Sequence, residues 1–363
     1  MRKVALVFCS LLLIAGGYFF CNTPLVSVVI TTYNRAELVS KAIDSILGQT
    51  YKRLEVLIIN DGSDDNTADV LAKYSKKDSR IRIITNNENK GIVKSRNIGL
   101  SEARGKYLVW QDDDDIAEKN KIAEQVKFMQ KHRDVTILGT QISLLGNDRM
   151  IYLWPTEVNP DEAEIAFLIG RLPIALPTTI WRLDFIKKYQ IKFDISYPVT
   201  EDLVIYDKIL SHGGKIMTIN ETLYQYRLHY SNSVEYYKKI RKLQKEFYER
   251  RWNRFYPNEV YPKTQCERLK FIKEHNKYFS DDVVREMYAV HCQGKIYNPT
   301  SISFVVVYDN GVEEPIVVSK NNSTFYSVRF KKVGKVQKYS FDSIYILWED
   351  EEERKEYKIK RAK

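Results

Sequence analysis

The chain has 363 residues, 44% of them hydrophobic and 29% charged, which is the make-up of a globular protein and excludes one dominated by disorder. Its formal charge of +10 and pI near 9.1 favour an anionic partner without choosing among nucleic acid, a phospholipid surface and a phosphorylated small molecule. Four cysteines without a CxxC pair exclude a cysteine-built metal site.

The N-terminus, "MRKVALVFCSLLLIAGGYFFCNTP", places Arg2 and Lys3 before an uncharged apolar run from Val4 to about Phe20. Residues 1–23 read as a targeting or anchoring segment. One reading is a signal peptide with Ala15, Gly16 and Gly17 at the cleavage site. Another is a membrane-spanning helix, since the run just reaches the roughly 17 residues that a span requires; the third is a buried helix of the folded domain. As an anchor it would keep Arg2 and Lys3 cytoplasmic and export the rest. The expected location is therefore a membrane or the secretory pathway, with the sidedness open. Cys9 and Cys21 lie in or beside this leader, and Cys266 and Cys292 would be free to pair if the domain is exported.

From Leu25 onward, β-branched runs alternate with amphipathic stretches. "VSVVITT" (26–32) predicts a buried strand, and the spacing of Leu38, Ala42, Ile43 and Ile46 predicts a helix over 36–47. Strands follow at 55–61, 81–85 and 107–110, with helices over about 67–76 and 94–103 between them. This alternation implies right-handed crossovers and a mostly parallel, doubly wound sheet with helices on both faces. Ligands of such sheets bind beyond the carboxyl ends of the strands. Those ends are polar here: Thr31, Thr32, Tyr33, Asn34 and Arg35 after the first strand, Asn60, Asp61, Gly62 and Ser63 after the second, and Asp112 to Asp115 after the fourth.

Four adjacent carboxylates repel one another unless a cation or a hydrogen-bonding shell offsets the charge. A divalent metal is one partner; the simpler alternative is a solvated turn whose last aspartate caps a helix starting near Ile116. Convergence with the other polar loops favours the metal. No G-x-G-x-x-G or G-x-x-x-x-G-K is present, so metal and basic side chains rather than a glycine-rich loop would neutralise phosphates.

At these residues the chain resembles a known family. "VSVVITTYNR", "LEVLIINDGSDDNT", "NKGIVKSRNIGLSEARGKYLVWQDDDD", "TEDLVIYDKILSHG" and "YRLHYSNSV" resemble, in order, the signatures of family 2 glycosyltransferases, over about residues 25–235. The resemblance implies a GT-A fold and inverting transfer from a nucleotide sugar, most often UDP-linked, to a hydroxyl of a glycan, glycolipid or glycoprotein. It implies that Thr31 and Tyr33 hold uracil and ribose, that Asp61 accepts from the uracil ring, that Arg96 meets the nucleotide and that Asp112 touches the ribose. Asp114 and Asp115, with His229, would bind Mn²⁺ or Mg²⁺, and Asp202 would be the catalytic base with Glu201 beside it as alternative. Gln111 departs from the leucine usual before the acidic motif, and Asp113 occupies its middle.

The residue types suit the chemistry. A hard divalent ion with carboxylate ligands offsets charge on a leaving diphosphate, and inversion needs one general base. Each position also has a plainer explanation: Thr200 as a helix cap with acids serving the dipole, although Leu203 spoils the capping box; His229 as an ordinary polar group, Lys94 as an exposed lysine and Trp181 as a core aromatic rather than a sugar platform.

Beyond about 235 the resemblance ends. Residues 236–295 predict basic, aromatic-rich helices, which would lie on an anionic surface or, more simply, pack their aromatic face on the preceding domain. Residues 296–363 predict a small antiparallel β region opened by a hairpin around Asp309, Asn310 and Gly311, with a charged tail. The reading is thus a GT-A catalytic domain over 24–235, a helical segment and a small antiparallel β C-terminal region. Rivals are a nucleotidyltransferase, which lacks its glycine-rich basic loop here, a glycan-binding or scaffold protein on a transferase-like domain, and a nucleic-acid binder resting on charge alone.

Overall fold

The structure is a computed structural model and describes residues 23–145, 150–151, 159–171, 174–227, 234–292, 301–307 and 313–319. The apolar leader, His229 and the strands expected after 319 lie outside the described residues. Among the described residues no helix is long and apolar enough to cross a membrane.

The first half is built as its alternation predicts. Strands β1 (Val26–Thr32), β2 (Leu54–Asn60), β3 (Ile81–Thr85) and β4 (Tyr107–Asp112) pair in parallel, in the order β3-β2-β1-β4. Helices α1 (Ala36–Leu47), α2 (Thr67–Lys77) and α3 (Ile92–Glu102) make the crossovers. All seven residues of β1 are buried, because a central parallel strand is covered on both faces. Alternate residues therefore feed two cores. Val29, Leu57, Ile59 and Trp110 meet α3 through Val93 and Leu100 on one face. Val28, Ile30, Val56 and Ile58 meet Val39, Ile43 and Ile46 of α1 on the other. Each such fully buried side chain stabilises the fold by about 1.5–3 kcal/mol.

After β4 the direction of pairing changes. Helix α4 (Lys121–Lys131) follows the two-residue strand β5 (Ile116–Ala117), so the acidic run is not the cap of a helix at 116. The sheet continues through β8 (Ile180–Arg182), β6 (Ile137–Leu144) and β9 (Ile216–Tyr226) to β5, with β7 (Met150–Ile151) beside β6. β9 runs parallel to β6 and antiparallel to β5, and so crosses back under the acidic run. The remaining helices of this half are α5 (Pro160–Leu168), α6 (Leu183–Lys188) and α7 (Glu201–Ser211). Trp181 is fully buried, its Nε1 donating to Thr179 Oγ1 at 2.8 Å and its ring 5.6 Å from that of Trp110. It is core and offers no face to a sugar.

The basic helical segment comprises α8 (Val234–Phe255), α9 (Gln265–Glu274) and α10 (Asp281–Cys292). Phe247, Tyr248, Trp252 and Tyr256 of α8 are buried, so the helix packs its aromatic face inward, as the simpler sequence reading holds. Trp252 sits in a core shared with Ile165 and Leu168 of α5, Leu269 and Ile272 of α9 and Val284 of α10. Cys266 and Cys292 form a disulfide across α9 and α10 with their Cα atoms 5.4 Å apart. Farther on, β10 (Ser301–Val307) and β11 (Glu313–Ser319) form an antiparallel pair.

Trp252→Ala is expected to cost about 3–5 kcal/mol, the usual penalty for emptying an aromatic core site. Chemical denaturation of the full chain measures it, and a change under about 1 kcal/mol would show that α8 is not part of the core.

Candidate active site

Three loops and two helix starts meet at the carboxyl edge of the sheet. After β1, Thr31 and Thr32 are buried while Tyr33 is 40% exposed. Asn34 takes a left-handed φ of 52°, a conformation asparagine tolerates because its side chain bonds locally. Its amide donates to Ser63 Oγ and its Oδ1 accepts from the Asp64 amide, both at 3.0 Å. The loops after β1 and β2 are thereby laced together.

Asp61 is buried and committed to the next loop. Its Oδ1 accepts from Asn86 Nδ2 at 2.7 Å and from the Lys90 amide at 2.9 Å, and its Oδ2 from the Gly91 amide at 2.9 Å. It leaves one lone pair of Oδ2 for a ligand donor. Gly62 beside it has φ +70°, and a Cβ there would lie 2.4 Å from the Glu88 backbone, so only glycine lets the two loops meet.

Arg96 reaches the site because Gly99 brings α3 against β1; a Cβ at Gly99 would be 2.4 Å from Val29 Cγ1. The guanidinium donates from Nη1 to Glu201 Oε1 at 2.5 Å and from Nη2 to Asp112 Oδ1 at 3.4 Å, with its side chain 10% exposed. It links the end of β4 to the start of α7.

The four aspartates point to different partners. Asp112 meets Arg96, and Asp114 Oδ2 pairs with Arg35 Nη1 at 3.2 Å. Asp115 is fully buried, and its Oδ1 accepts from the Arg227 amide at 2.7 Å. Arg227 Nε also donates to the Asp114 carbonyl at 2.9 Å, which pins the end of β9 to the acidic run. Burial pushes the Asp115 carboxyl up to about 8, with the Asp112 charge adding to it and the Arg227 amide opposing it. Asp113 is pushed up to about 7, chiefly by burial. Asp112 is also raised by burial, with Arg96 pulling against it.

Beneath the run lie three side chains that the signatures do not mark. Gln111, 1% exposed, directs Nε2 at the carbonyls of Asp112 (2.9 Å) and Asp115 (3.0 Å) and at the Tyr224 hydroxyl (3.3 Å). The Tyr224 oxygen also accepts from the Asp112 amide at 3.3 Å. Lys121 is fully buried, donating to the Pro177 carbonyl at 2.6 Å with its Nζ 4.4 Å from the Tyr224 ring centre. Burial pulls the Lys121 ammonium down to about 7, while Asp112 and Asp115 hold it up. Its sequence signal is a lysine on the buried stripe of α4, beside Ile122, Gln125, Val126 and Met129.

Helix α7 begins with the remaining acids. Thr200 at its N-cap makes no side-chain capping bond, so capping does not account for this segment. Burial raises Glu201 to about 6, with Arg96 opposing and Asp202 adding. Asp202 is raised as well, chiefly by burial; its Oδ1 accepts the Leu203 amide at 2.8 Å. Lys94 is exposed.

Thr31, Tyr33, Asp61, Arg96, Asp112, Asp114, Glu201 and Asp202 therefore share one edge of the fold. Asp115 faces inward instead, and His229 lies outside the described residues. Among the described residues no group of three or more His, Cys, Asp or Glu is placed to hold a metal ion. Asp112 and Asp114 supply hard oxygen donors of the kind Mn²⁺ and Mg²⁺ take, and such an ion usually completes its shell with water and substrate phosphate. The donor set fits an ion brought or completed by a diphosphate.

Comparison with known proteins gives the family. Residues 27–179 match the family model described as glycosyl transferase family 2. An uncharacterized glycosyltransferase of Haemophilus influenzae is 28% identical over 333 residues, 89% of this chain and 90% of that protein. The UDP-Glc:alpha-D-GlcNAc-diphosphoundecaprenol beta-1,3-glucosyltransferase WfaP of Escherichia coli is 32% identical over 207 residues, 56% of this chain and 78% of its own. Among solved structures, S. aureus TarS in complex with UDP-GlcNAc superposes with a TM-score of 0.52 at 18% identity, over 82% of this chain and 97% of that one. The likeness to TarS is one of fold. With the match to WfaP and the family model, the chain belongs to glycosyl transferase family 2 and is a glycosyltransferase.

Proposed function

We propose that the chain transfers a sugar with inversion from a UDP-linked donor to a hydroxyl of a glycan or glycoconjugate, and that a divalent ion takes part. The observation that carries this reading is the meeting of Asp61, Arg96, Asp112, Asp114 and the α7 acids at one sheet edge. Support for the donor comes from the names of the relatives: WfaP is a UDP-Glc-dependent glucosyltransferase, and TarS was solved with UDP-GlcNAc.

In this reading Tyr33, Thr31 and Asp61 face the uridine, and Arg96 fixes Asp112 toward the ribose. Asp114 would hold the ion, whose chemistry is to neutralise the leaving diphosphate. Asp202 is the better base of the two α7 acids. Glu201 is tied to Arg96 at 2.5 Å, whereas Asp202 Oδ1 accepts the backbone amide of Leu203. Asp202 removes the proton of the acceptor hydroxyl while that oxygen forms its bond to the anomeric carbon. The bond from that carbon to the diphosphate breaks, and its electron pair leaves with the nucleoside diphosphate. Placement at a membrane through residues 1–23 is part of the same proposal.

Purified full-length chain incubated with UDP-, GDP- and dTDP-sugars, with Mn²⁺, Mg²⁺ or EDTA, tests the reading. Nucleotide release is expected from a UDP-sugar, abolished by EDTA and by Asp114→Ala, and reduced about 10²–10⁴-fold by Asp202→Asn. No release from any donor, together with no nucleotide binding by calorimetry, would sink it in favour of a binding protein.

A pH profile separates the two acids. Glu201 ionises near 6 and loses its ion pair with Arg96 when protonated. The kcat/KM of the wild type is expected to fall as pH drops through about 6. Glu201→Gln, which mimics the protonated form, is expected to be slower and to show no step there; an unchanged step would assign it to another group.

A further inference from the structure

Helix α8 lies beyond both the family match, which ends at 179, and the stretch of resemblance, yet it grips the segment that carries the α7 acids. The first contact precedes them. Arg250 Nη1 donates to the Tyr197 hydroxyl at 2.7 Å, and the guanidinium carbon lies 5.4 Å from the Tyr197 ring centre. Tyr197 belongs to the lead-in that ends at Thr200.

The second contact follows them. Arg251, with a side chain 2% exposed, pairs through Nη1 with Asp207 of α7 and through Nη2 with Glu164 of α5. Arg254 pairs with the other oxygen of Asp207. Between these points, Phe247 and Tyr248 of α8 pack in one core with Leu203, Val204 and Tyr206 of α7. Glu201 and Asp202 thus sit between two anchors from a single helix. A buried carboxylate such as Asp207 is costly without its cations, so the anchor fixes α7 against rotation as well as translation.

We propose that Arg250, Arg251 and Arg254 are positioning residues for the transfer reaction: α8 sets where Glu201 and Asp202 stand relative to the donor site. The basic helical segment is in this view a working wall of the catalytic domain. Chains that share only the nucleotide-facing half with this one would need another device for the same purpose. The inference rests on the transferase reading with Asp202 as base. None of these arginines touches the loops after β1 and β2, so the donor side is independent of them.

The test uses the full chain and the UDP-sugar identified by nucleotide release. Arg250 and Arg254 are exposed, so Arg250→Ala/Arg254→Ala is expected to keep the wild-type circular dichroism and a cooperative melt. Its donor KM should stay within about two-fold of wild type while kcat falls about ten-fold, a change of about 1.4 kcal/mol in the barrier. Arg254→Lys, which keeps a charge on Asp207, should recover most of the turnover that Arg254→Ala loses. A folded double variant with kcat within about two-fold of wild type, beside an inactive Asp202→Asn, would overturn the inference and leave the transferase reading standing. Equal loss in Arg254→Lys and Arg254→Ala would overturn the charge anchor on Asp207. Full turnover in Asp202→Asn would remove the base on which the inference rests.

Discussion

Negative charge gathered in a water-poor place has to be neutralised, and this constraint governs the structure around the acidic run. Asp112 to Asp115 from one strand end and Glu201 and Asp202 from one helix start share the edge of the sheet. Arg35 reaches it from the loop after β1, Arg96 from α3 and Lys121 from α4. Removing one partner of a buried pair typically costs about 3–5 kcal/mol. The positions of α1, α3, α4 and α7 are therefore tied to one electrostatic balance as firmly as to their apolar faces.

The same balance separates four chemically identical aspartates. Asp115 is turned inward and accepts the amide of Arg227, the residue after β9. Asp112 is turned toward Arg96 and Asp114 toward Arg35. Gln111 and Tyr224 hold the run from below through backbone groups. A leucine at 111 would give neither of the two Gln111 bonds, so the departure from the usual residue has a visible counterpart in the loop.

Much of the fold was legible because its determinants are local. The period of two in "VSVVITT" and of 3.6 in "AELVSKAIDSIL" each decide burial within a few residues. The parallel order of the first four strands then follows from the handedness of crossovers. The second half was harder. β5 and β8 have two and three residues, too short for any period, and the assignment of Ile116 to a helix start failed for that reason. Asp61, Arg96 and Asp112 could be named from motifs, but not the service Asp61 performs for the Asn86–Gly91 turn, since that depends on a contact between distant loops. Arg251 was invisible for a related reason: a buried cation reads from sequence as a surface residue, and only its distant carboxylates Glu164 and Asp207 show otherwise.

The path of β9 has a consequence for how the chain is made. The Arg227 amide that fixes Asp115 is 112 residues downstream, and at synthesis rates of 5–20 residues per second it is translated roughly 6–20 s later. The parallel strands β3, β2, β1 and β4 can already be paired by then, while the acidic run still stands in water. A chain stopped before β9 holds the parallel half of the sheet but not the Arg227 amide that Asp115 accepts. Completion of the acidic edge is thus a late event in biosynthesis, and the growing chain is kept from closing its most highly charged loop until the strand that supports it exists.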